Sequence, residues 1–164
     1  MDQQAQGTSV TIAAMKEVVA EMHAAGPGEK AHRFNDALIA EYRASGGTSI
    51  GELPIESTLI VTMKGARSGL ERSIPLGVEV IDGRLLIIGS SAGMPRHPQW
   101  YHNIVANPVV TVEWKGETFR AEAIVITGAE RDGLFGRLNK IFHDHQARTT
   151  RVIPVVELRR IDDA

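Results

Sequence analysis

The chain has 164 residues, of which 43% are hydrophobic and 23% are charged, and it contains no cysteine. These values suit one ordinary globular domain and exclude a disordered, collagen-like or coiled-coil protein. With 18 Lys and Arg against 20 Asp and Glu, the net charge of −2 argues against a general nucleic-acid-binding protein. The absence of thiols excludes disulfides, cysteine nucleophiles and cysteine metal ligands, and it is compatible with a reducing cytoplasm.

The start of the chain predicts a helical N-terminal segment, residues 1–45. Apolar residues recur at helical spacing over residues 9–25 and again over residues 30–44, with a Gly-Pro-Gly break between them. The first helix carries Lys16 as its one Lys or Arg, whereas helices that bind anionic membranes are rich in both. We therefore expect this helix to pack over the barrel or a partner subunit, with at most peripheral membrane contact. Residues 1–7 are polar and do not resemble a secretory signal, so we expect a cytoplasmic protein.

Residues 46–164 predict a second, mainly β segment. Strands are predicted at residues 57–63, 73–81, 85–89, 108–114, 118–127 and 152–158, and helices at residues 98–106 and 130–145. Antiparallel strands joined by hairpins, with helices at the ends, indicate a small barrel or a curved sheet. The elements do not alternate strand and helix, which argues against a doubly wound nucleotide-binding fold.

The predicted turn at residues 64–72 is rich in groups that bind anions. Its glycines let backbone N–H groups approach a ligand, Ser68 adds a hydroxyl, and Lys64, Arg67 and Arg72 add positive charge. Phosphates and carboxylates are held by this combination of backbone donors and guanidinium groups. The spacing is not that of a P-loop. The alternative is a solvated hairpin turn with ordinary surface charges.

Residues 89–93 have the G-x-S-x-G pattern of a nucleophile elbow after a predicted buried strand. An elbow must open directly into a helix, and Pro95 and Pro98 prevent a helix there. We therefore predict that Ser91 is not a nucleophile. A loop of small residues that lets a flat ligand approach the backbone is the favoured interpretation.

The predicted helix that starts at Pro98 concentrates aromatic, imidazole and amide side chains. These groups could bind a coenzyme, or Trp100 and Ile104 could simply pack into the core, as aromatic residues commonly do. The histidines do not predict a metal site, because no pair has the i, i+4 spacing of a helical zinc site.

Three stretches of the chain resemble the deazaflavin-dependent nitroreductase family, and the similarity extends over residues 34–158. The stretches are Gly65-x-x-Ser68-Gly69-x-x-Arg72-x-x-Pro75-Leu76, Ser90-x-x-Gly93-x-x-x-x-Pro98-x-Trp100-Tyr101-x-Asn103-x-x-Ala106-Asn107-Pro108 and Gln146-Ala147-Arg148-Thr149-x-Arg151-x-Ile153-Pro154-Val155. The resemblance implies an α+β, mainly β fold: a split β-barrel, like that of flavin-binding oxidases, with N-terminal and peripheral helices. It also implies coenzyme F420, a 5-deazaflavin that ends in a phosphate and a chain of glutamates.

The resemblance implies four groups of coenzyme contacts. The phosphate and tail would be bound by Lys64, Ala66, Arg67, Ser68 and Arg72. The ring and ribityl chain would lie against Ser73, Ile74, Pro75, Leu76 and Gly77. Backbone and hydroxyl groups would come from Ile88, Gly89, Ser90 and Ser91. The start of the helix would close the site with Gln99, Trp100, Tyr101, His102 and Asn103.

The chain departs from the family at several positions. Gly77 stands where members often have an aromatic residue, and Ser91 stands where the best-known members have lysine. Phe142 and His145 match tyrosines of members that reduce nitroimidazoles, so we expect both to contact substrate. His145 and Ser90 are the candidate catalytic proton donors, although His145 could instead be a helix-end histidine that faces solvent.

The sequence therefore predicts an F420-dependent reductase that passes a hydride to an electron-poor small molecule such as a quinone, an enone or a nitro compound. Because the two tyrosine hydroxyls are missing, we expect quinone or enone reduction to outpace nitroimidazole reduction. The alternatives are an FMN-dependent oxidoreductase with the same barrel and a non-catalytic carrier of a cofactor or lipid. The sequence leaves open whether the protein is a monomer or a homodimer.

Overall fold

The structure is a computed structural model that describes residues 10–26 and 28–161. Its helices are α1 (Ile12–Ala25), α2 (Glu29–Ala44), α3 (Gln99–Ala106), α4 (Gly128–Gly136) and α5 (Lys140–Ala147). Its strands are β1 (Thr58–Lys64), β2 (Glu71–Gly77), β3 (Glu79–Ile81), β4 (Arg84–Ile88), β5 (Val109–Trp114), β6 (Glu117–Ile126) and β7 (Val155–Arg160). The polar start at residues 1–7, the predicted helix start at Ser9 and the Pro27 of the predicted helix break lie outside the described residues.

The strands form one antiparallel sheet of seven in the order β2-β1-β5-β6-β7-β4-β3. Its two edge strands, β2 and β3, are consecutive in the chain and are separated by Val78 alone. The Val78 N–H donates to the Ser57 carbonyl at 2.9 Å, and the Val78 side chain is buried. This short connection brings the two edges of the sheet together, so the sheet curls into the predicted split barrel.

The predicted strand at residues 73–81 is two strands in the structure. Val78 lies at the corner where the chain stops pairing with β1 and begins to pair with β4. A continuous run of strand-forming residues does not reveal such a corner, because residues on both sides keep extended backbones.

The predicted helix at residues 130–145 is also divided, into α4 and α5. Leu138 turns into the core between them, and the Asn139 side chain caps α5 by accepting the Ile141 N–H at 3.1 Å. Leu134 and Phe135 of α4 pack with the buried residues of β4 and β7 on the outside of the barrel. The break separates α4, which packs on the sheet, from α5, whose His145 carbonyl lies close to Gly93.

The N-terminal helices cover β1. Phe34 and Leu38 of α2 pack with Ile60 of β1, and Met15 and Val18 of α1 lie against the same cluster. This arrangement is one of the two predicted for the first helix, namely packing over the barrel. Within the described residues, no helix is both long enough and apolar enough to cross a membrane.

Candidate functional site

The loop between β1 and β2 is a tight hairpin that displays unpaired positive charge. The Gly65 N–H donates to the Leu70 carbonyl at 2.8 Å and closes the loop. Lys64, Arg67 and Arg72 are exposed, and none of them forms an ion pair within residues 10–26 and 28–161. The predicted anion-binding cluster is therefore present as a set of cations without protein partners, as binding of a phosphate would require.

The loop after β4 adopts a left-handed backbone conformation at three successive residues. The φ angles are 43° at Ser91, 52° at Ala92 and 78° at Gly93, which is uncommon for residues with side chains. In the described structure, the N–H groups of Ser91 and Ala92 have no acceptor. The turn is a short 3₁₀ segment rather than an α-helix, so it lacks the architecture of a nucleophile elbow. It offers two backbone donors to a ligand instead.

Asn103 of α3 joins the first predicted cluster to the third. Its side-chain oxygen accepts from the Ala66 N–H at 3.0 Å and from the Gln99 side chain at 3.2 Å. Asn103 is buried, with 4% of its surface exposed. The structure thus assigns it the role of holding the β1–β2 loop against α3.

Arg151 joins the second predicted cluster to the third. It lies just before β7, and its guanidinium donates to the carbonyl oxygens of Gly89, Ser90 and Met94 at 3.0, 2.7 and 2.9 Å. The same group lies 3.0 Å from Nδ1 of His97. Sequence reasoning gave Arg151 no role, although the residue stood in the third of the family-like stretches. Only the fold brings it beneath the β4–α3 loop.

The predicted contacts of α3 divide between core and surface. Trp100 is buried among the residues that fill the barrel, together with Ile104. Tyr101 is half-buried and lies in a cluster of rings with His97 and His102, at centroid distances of 4.8 and 5.8 Å. The exposed side of this helix therefore presents phenol and imidazole groups, and Trp100 anchors it.

The predicted ring-binding strand does not direct all of its side chains to one place. Ile74 and Leu76 pack against the barrel core. The Ser73 hydroxyl instead lies 2.7 Å from the Thr62 hydroxyl and accepts a longer bond of 3.4 Å from Arg43 of α2. Ile88 of β4 lies in the core beneath α4. Within β2, Ser73 and Ile74 point to different sides because neighbouring residues of a strand face opposite sides of the sheet.

A cavity of about 580 Å³ joins predicted coenzyme residues to a predicted substrate residue. Pro75, Leu76 and Gly77 of β2 line it on one side, and Phe142 of α5 lines it on another. Helices α1 and α2 supply further apolar walls through Met15, Phe34 and Leu38. Gly77 adds no side chain, so the position that is often aromatic in the family leaves this cavity open.

His145 is half-buried at the edge of α5 and does not face open solvent. Its Nδ1 atom is buried and has no hydrogen-bond partner among the described residues. Burial lowers the pKa of His145, and the neighbouring His23 and Arg148 side chains lower it further. The ring lies 6.2 Å from the Phe142 ring. His145 and Phe142, the two predicted substrate contacts, are therefore neighbours.

Helix α1 contacts the β4–α3 loop near His145. The His23 Nε2 atom lies 2.8 Å from the Ala92 carbonyl, so the protonated nitrogen donates to it. Gly93 faces α5, where an added Cβ would lie 2.7 Å from the His145 carbonyl. Sequence reasoning missed His23, because nothing in its helix indicates a contact 69 positions away.

These observations describe a class of protein: a split barrel with a cationic hairpin and a loop of free backbone donors, groups that suit an anionic ligand. A phosphorylated deazaflavin fits the residues present, because unpaired guanidinium groups and backbone N–H groups without acceptors suit a polyanion. The apolar cavity between β2 and α5 has the size of a small-molecule site.

Comparison with known proteins gives the family. The chain matches the F420H(2)-dependent quinone reductase family over residues 35–159 and belongs to it. It is 31% identical over 137 residues to an F420H(2)-dependent quinone reductase of Mycobacterium tuberculosis (strain ATCC 25618 / H37Rv), which covers 78% of this chain and 89% of that protein. The chain is accordingly an oxidoreductase whose hydride donor is reduced coenzyme F420, which confirms the predicted class and coenzyme.

Two solved structures share the fold. The F420-H2 dependent reductase FDR-A has a TM-score of 0.57 and 30% identity, and the match covers 63% of this chain and 94% of that one. A protein solved as a domain-swapped dimer has a TM-score of 0.60 and 28% identity, with coverages of 74% and 94%. Both matches support the split-barrel fold.

Proposed function

We propose that this protein transfers a hydride from reduced coenzyme F420 to a quinone bound in the cavity between β2 and α5. The cavity supports this proposal, because Phe142 and residues Pro75–Gly77, which we assign to the coenzyme, line the same largely apolar space. The quinone reductase named among the relatives supports the choice of acceptor. When bound, the reduced deazaflavin supplies the hydride, and the chain supplies binding and orientation.

Two loops of the chain supply the polar groups that bind the coenzyme. Arg67 and Arg72 of the β1–β2 loop, with the Ser68 hydroxyl, bind the phosphate and acidic tail through charge-assisted hydrogen bonds. The N–H groups of Ser91 and Ala92 bind polar atoms of the coenzyme from the β4–α3 loop. Pro75 and Leu76 exclude water beside the ring, since neither side chain carries a polar atom.

The acceptor site is apolar where nitro-reducing relatives have phenols. Phe142 offers a flat hydrocarbon surface to a quinone ring, and no tyrosine hydroxyl at residue 142 or 145 steers a polar nitro group. His145 is the proposed donor of a proton to the quinone oxygen, with Ser90 as the other candidate. Since burial lowers the pKa of His145, its ring is mostly neutral at pH 7, and its charged form increases below pH 6.5.

We also propose that the protein works in the cytoplasm without a strong membrane anchor. The partly buried residues of α1 already pack against α2 and β1, which leaves little apolar surface for lipid. Light scattering of the purified protein separates the monomer from the homodimer, and co-sedimentation with anionic vesicles tests the weak membrane contact.

Titration with oxidised F420 and with FMN tests the coenzyme proposal. We expect tighter binding of F420, with affinity that increases with the number of glutamates in the tail, because three basic residues exceed the need of one phosphate. Equal or tighter binding of FMN would contradict the proposal. Binding of F420 without turnover of any acceptor would indicate a carrier.

Steady-state oxidation of F420H2 then tests the acceptor. A quinone, a cyclohexenone and a bicyclic nitroimidazole are compared in parallel. We expect the quinone to have a higher kcat/KM than the nitroimidazole, and the reverse order would contradict the assignment of the cavity.

A further inference from the structure

The β4–α3 loop is held in shape by one arginine. Four nitrogen contacts of Arg151, all between 2.7 and 3.0 Å, connect it to the carbonyls of Gly89, Ser90 and Met94 and to the His97 ring. These partners flank the left-handed residues 91–93 on both sides. A guanidinium has five N–H donors in a fixed plane, so it can hold several carbonyls in one arrangement.

The charge of Arg151 has no carboxylate partner within the described part of the chain. Burial consequently lowers the pKa of its guanidinium from the usual value. A partly buried cation that is balanced only by carbonyl dipoles raises the positive potential of the loop above it. This potential favours an anion at the N–H groups of Ser91 and Ala92.

His97 can complete this arrangement only while its ring is neutral. The guanidinium has no acceptor, so at 3.0 Å the Nδ1 atom of His97 must be the acceptor and the proton must lie on Nε2. The charged and titratable groups that face His97 are Arg151 from the segment before β7, and Tyr101 and His102 from α3. Burial lowers the pKa of His97, with further contributions from Arg151 and His102.

We infer that Arg151 is a positioning residue for the coenzyme, which acts by fixing residues 89–94, and that it needs neutral His97 as a hydrogen-bond acceptor. The inference rests on the proposed contact of the Ser91 and Ala92 N–H groups with the coenzyme. Protonation of His97 adds a hydrogen to Nδ1, so this nitrogen can no longer accept the N–H of Arg151. One contact of Arg151 is lost, and a second positive charge lies beside its guanidinium. The loop loosens, and the loss of aligned N–H donors outweighs the attraction of the added positive charge, so coenzyme affinity falls in acid.

The test compares F420 affinity at pH 7.5 and pH 5.5 in wild type and three variants. Arg151→Lys offers one ammonium in place of the planar fork and should weaken binding by about tenfold, the scale of one hydrogen bond to a charged group. The affinity of wild type for F420 should fall about tenfold from pH 7.5 to pH 5.5. His97→Asn should bind nearly as wild type does at pH 7.5 without that loss, because its amide oxygen can accept near the position of Nδ1 and does not titrate. His97→Leu should bind weakly at both.

Arg131→Lys is the matched control. Arg131 is also half-buried and donates to a carbonyl, that of Ile153 at 2.7 Å, but it makes no contact with the β4–α3 loop. We expect it to lower the urea midpoint of unfolding without changing F420 affinity or its pH dependence. Unchanged affinity in Arg151→Lys, or the wild-type pH dependence in His97→Asn, would overturn the inference.

Hydrogen exchange without coenzyme separates this inference from the proposed function. The Gly93 and Met94 N–H groups donate to the carbonyls of Ser90 and Ser91 at 2.8 and 2.9 Å. In Arg151→Lys these two amides should exchange at least about tenfold faster, since the loop opens locally. If wild type does not bind F420, the proposed coenzyme contact fails, whereas unchanged exchange in Arg151→Lys refutes the positioning role alone.

Discussion

The Asn103 side-chain oxygen accepts a hydrogen bond of 3.0 Å from the Ala66 N–H, which joins α3 to the β1–β2 loop. Ala66 lies 37 positions before Asn103, and the loop that it belongs to carries Arg67 and Arg72. A buried amide on a helix therefore positions a loop with two exposed cations. The contact joins residues of two distant family-like stretches.

Asn103→Ala should lower both stability and F420 affinity. The substitution leaves the Ala66 N–H without its protein acceptor, and because Ala66 is exposed and water can replace that acceptor, we expect a loss of about 0.5–1.5 kcal/mol. Urea unfolding and F420 titration measure the two effects. Val105→Ala on the exposed side of the same helix is the control, and we expect little change in either property. Equal effects of the two substitutions would show that the contact with Ala66 has no special role.

Arg72→Ala should weaken F420 binding by about 1.5–3 kcal/mol, the value of a charge-assisted hydrogen bond. Arg72 has no ion pair in the described structure, so its removal leaves no protein carboxylate unpaired. Isothermal titration checks the prediction. Arg137→Ala removes an equally exposed arginine that pairs with Asp82 and should leave affinity unchanged. An unchanged dissociation constant for Arg72→Ala would mean that this arginine is an ordinary surface charge.

Gly93→Ala should be more harmful than Gly83→Ala. Both glycines have positive φ angles, 78° and 75°, so both variants carry a backbone strain of about 1–2 kcal/mol. At Gly93 the new Cβ also meets the His145 carbonyl at 2.7 Å, whereas at Gly83 nothing lies within 4 Å. Urea unfolding should show the larger loss for Gly93→Ala, and only that variant should weaken F420 binding. Equal losses would indicate that strain alone matters.

His145→Phe should lower kcat by about 10²-fold or more if His145 donates the proton, the usual scale of general acid catalysis. Because burial lowers the pKa of His145, wild-type kcat at saturating F420H2 should rise as the pH falls below 6.5. The variant should lose this rise. The use of kcat at saturation separates this effect from the weaker coenzyme binding expected in acid. A variant with wild-type kcat would move the proton donor to Ser90 or to water.

The free energy of unfolding should be smaller at pH 5.5 than at pH 7.5. The pKa values of His97 and His145 are both lowered below 6.5 in the folded protein, so the unfolded chain binds protons first as the pH falls. The contribution of the two neutral histidines to the free energy of unfolding is fully present above pH 6.5. It is lost as the pH falls from that value through their pKa values in the folded protein. Urea unfolding of wild type and of a His97→Asn, His145→Phe double variant checks this. The double variant should show the smaller dependence on pH.

Much of the fold could be predicted from local pattern. The end of α1 before Gly26, the hairpin at Asp82 and Gly83 and the helix after Pro98 depend on glycine and proline, whose backbone preferences act locally. The predictions failed at Val78 and at Leu138, where a continuous element was expected. At both positions a buried side chain turns the chain, and burial depends on what packs against it.

The same distinction, between what local pattern predicts and what depends on tertiary packing, applies to the candidate site. The sequence by itself determined the composition of the candidate coenzyme site, namely the cationic hairpin, the glycine-containing loop and the aromatic helix, because each lies within one short stretch. Only the tertiary structure decided how they combine. Arg151 reaches Gly89 and Ser90 across more than 60 positions, and His23 reaches Ala92 across 69. Such contacts form because the curled sheet brings β4 and the segment before β7 side by side, and no local spacing encodes that neighbourhood.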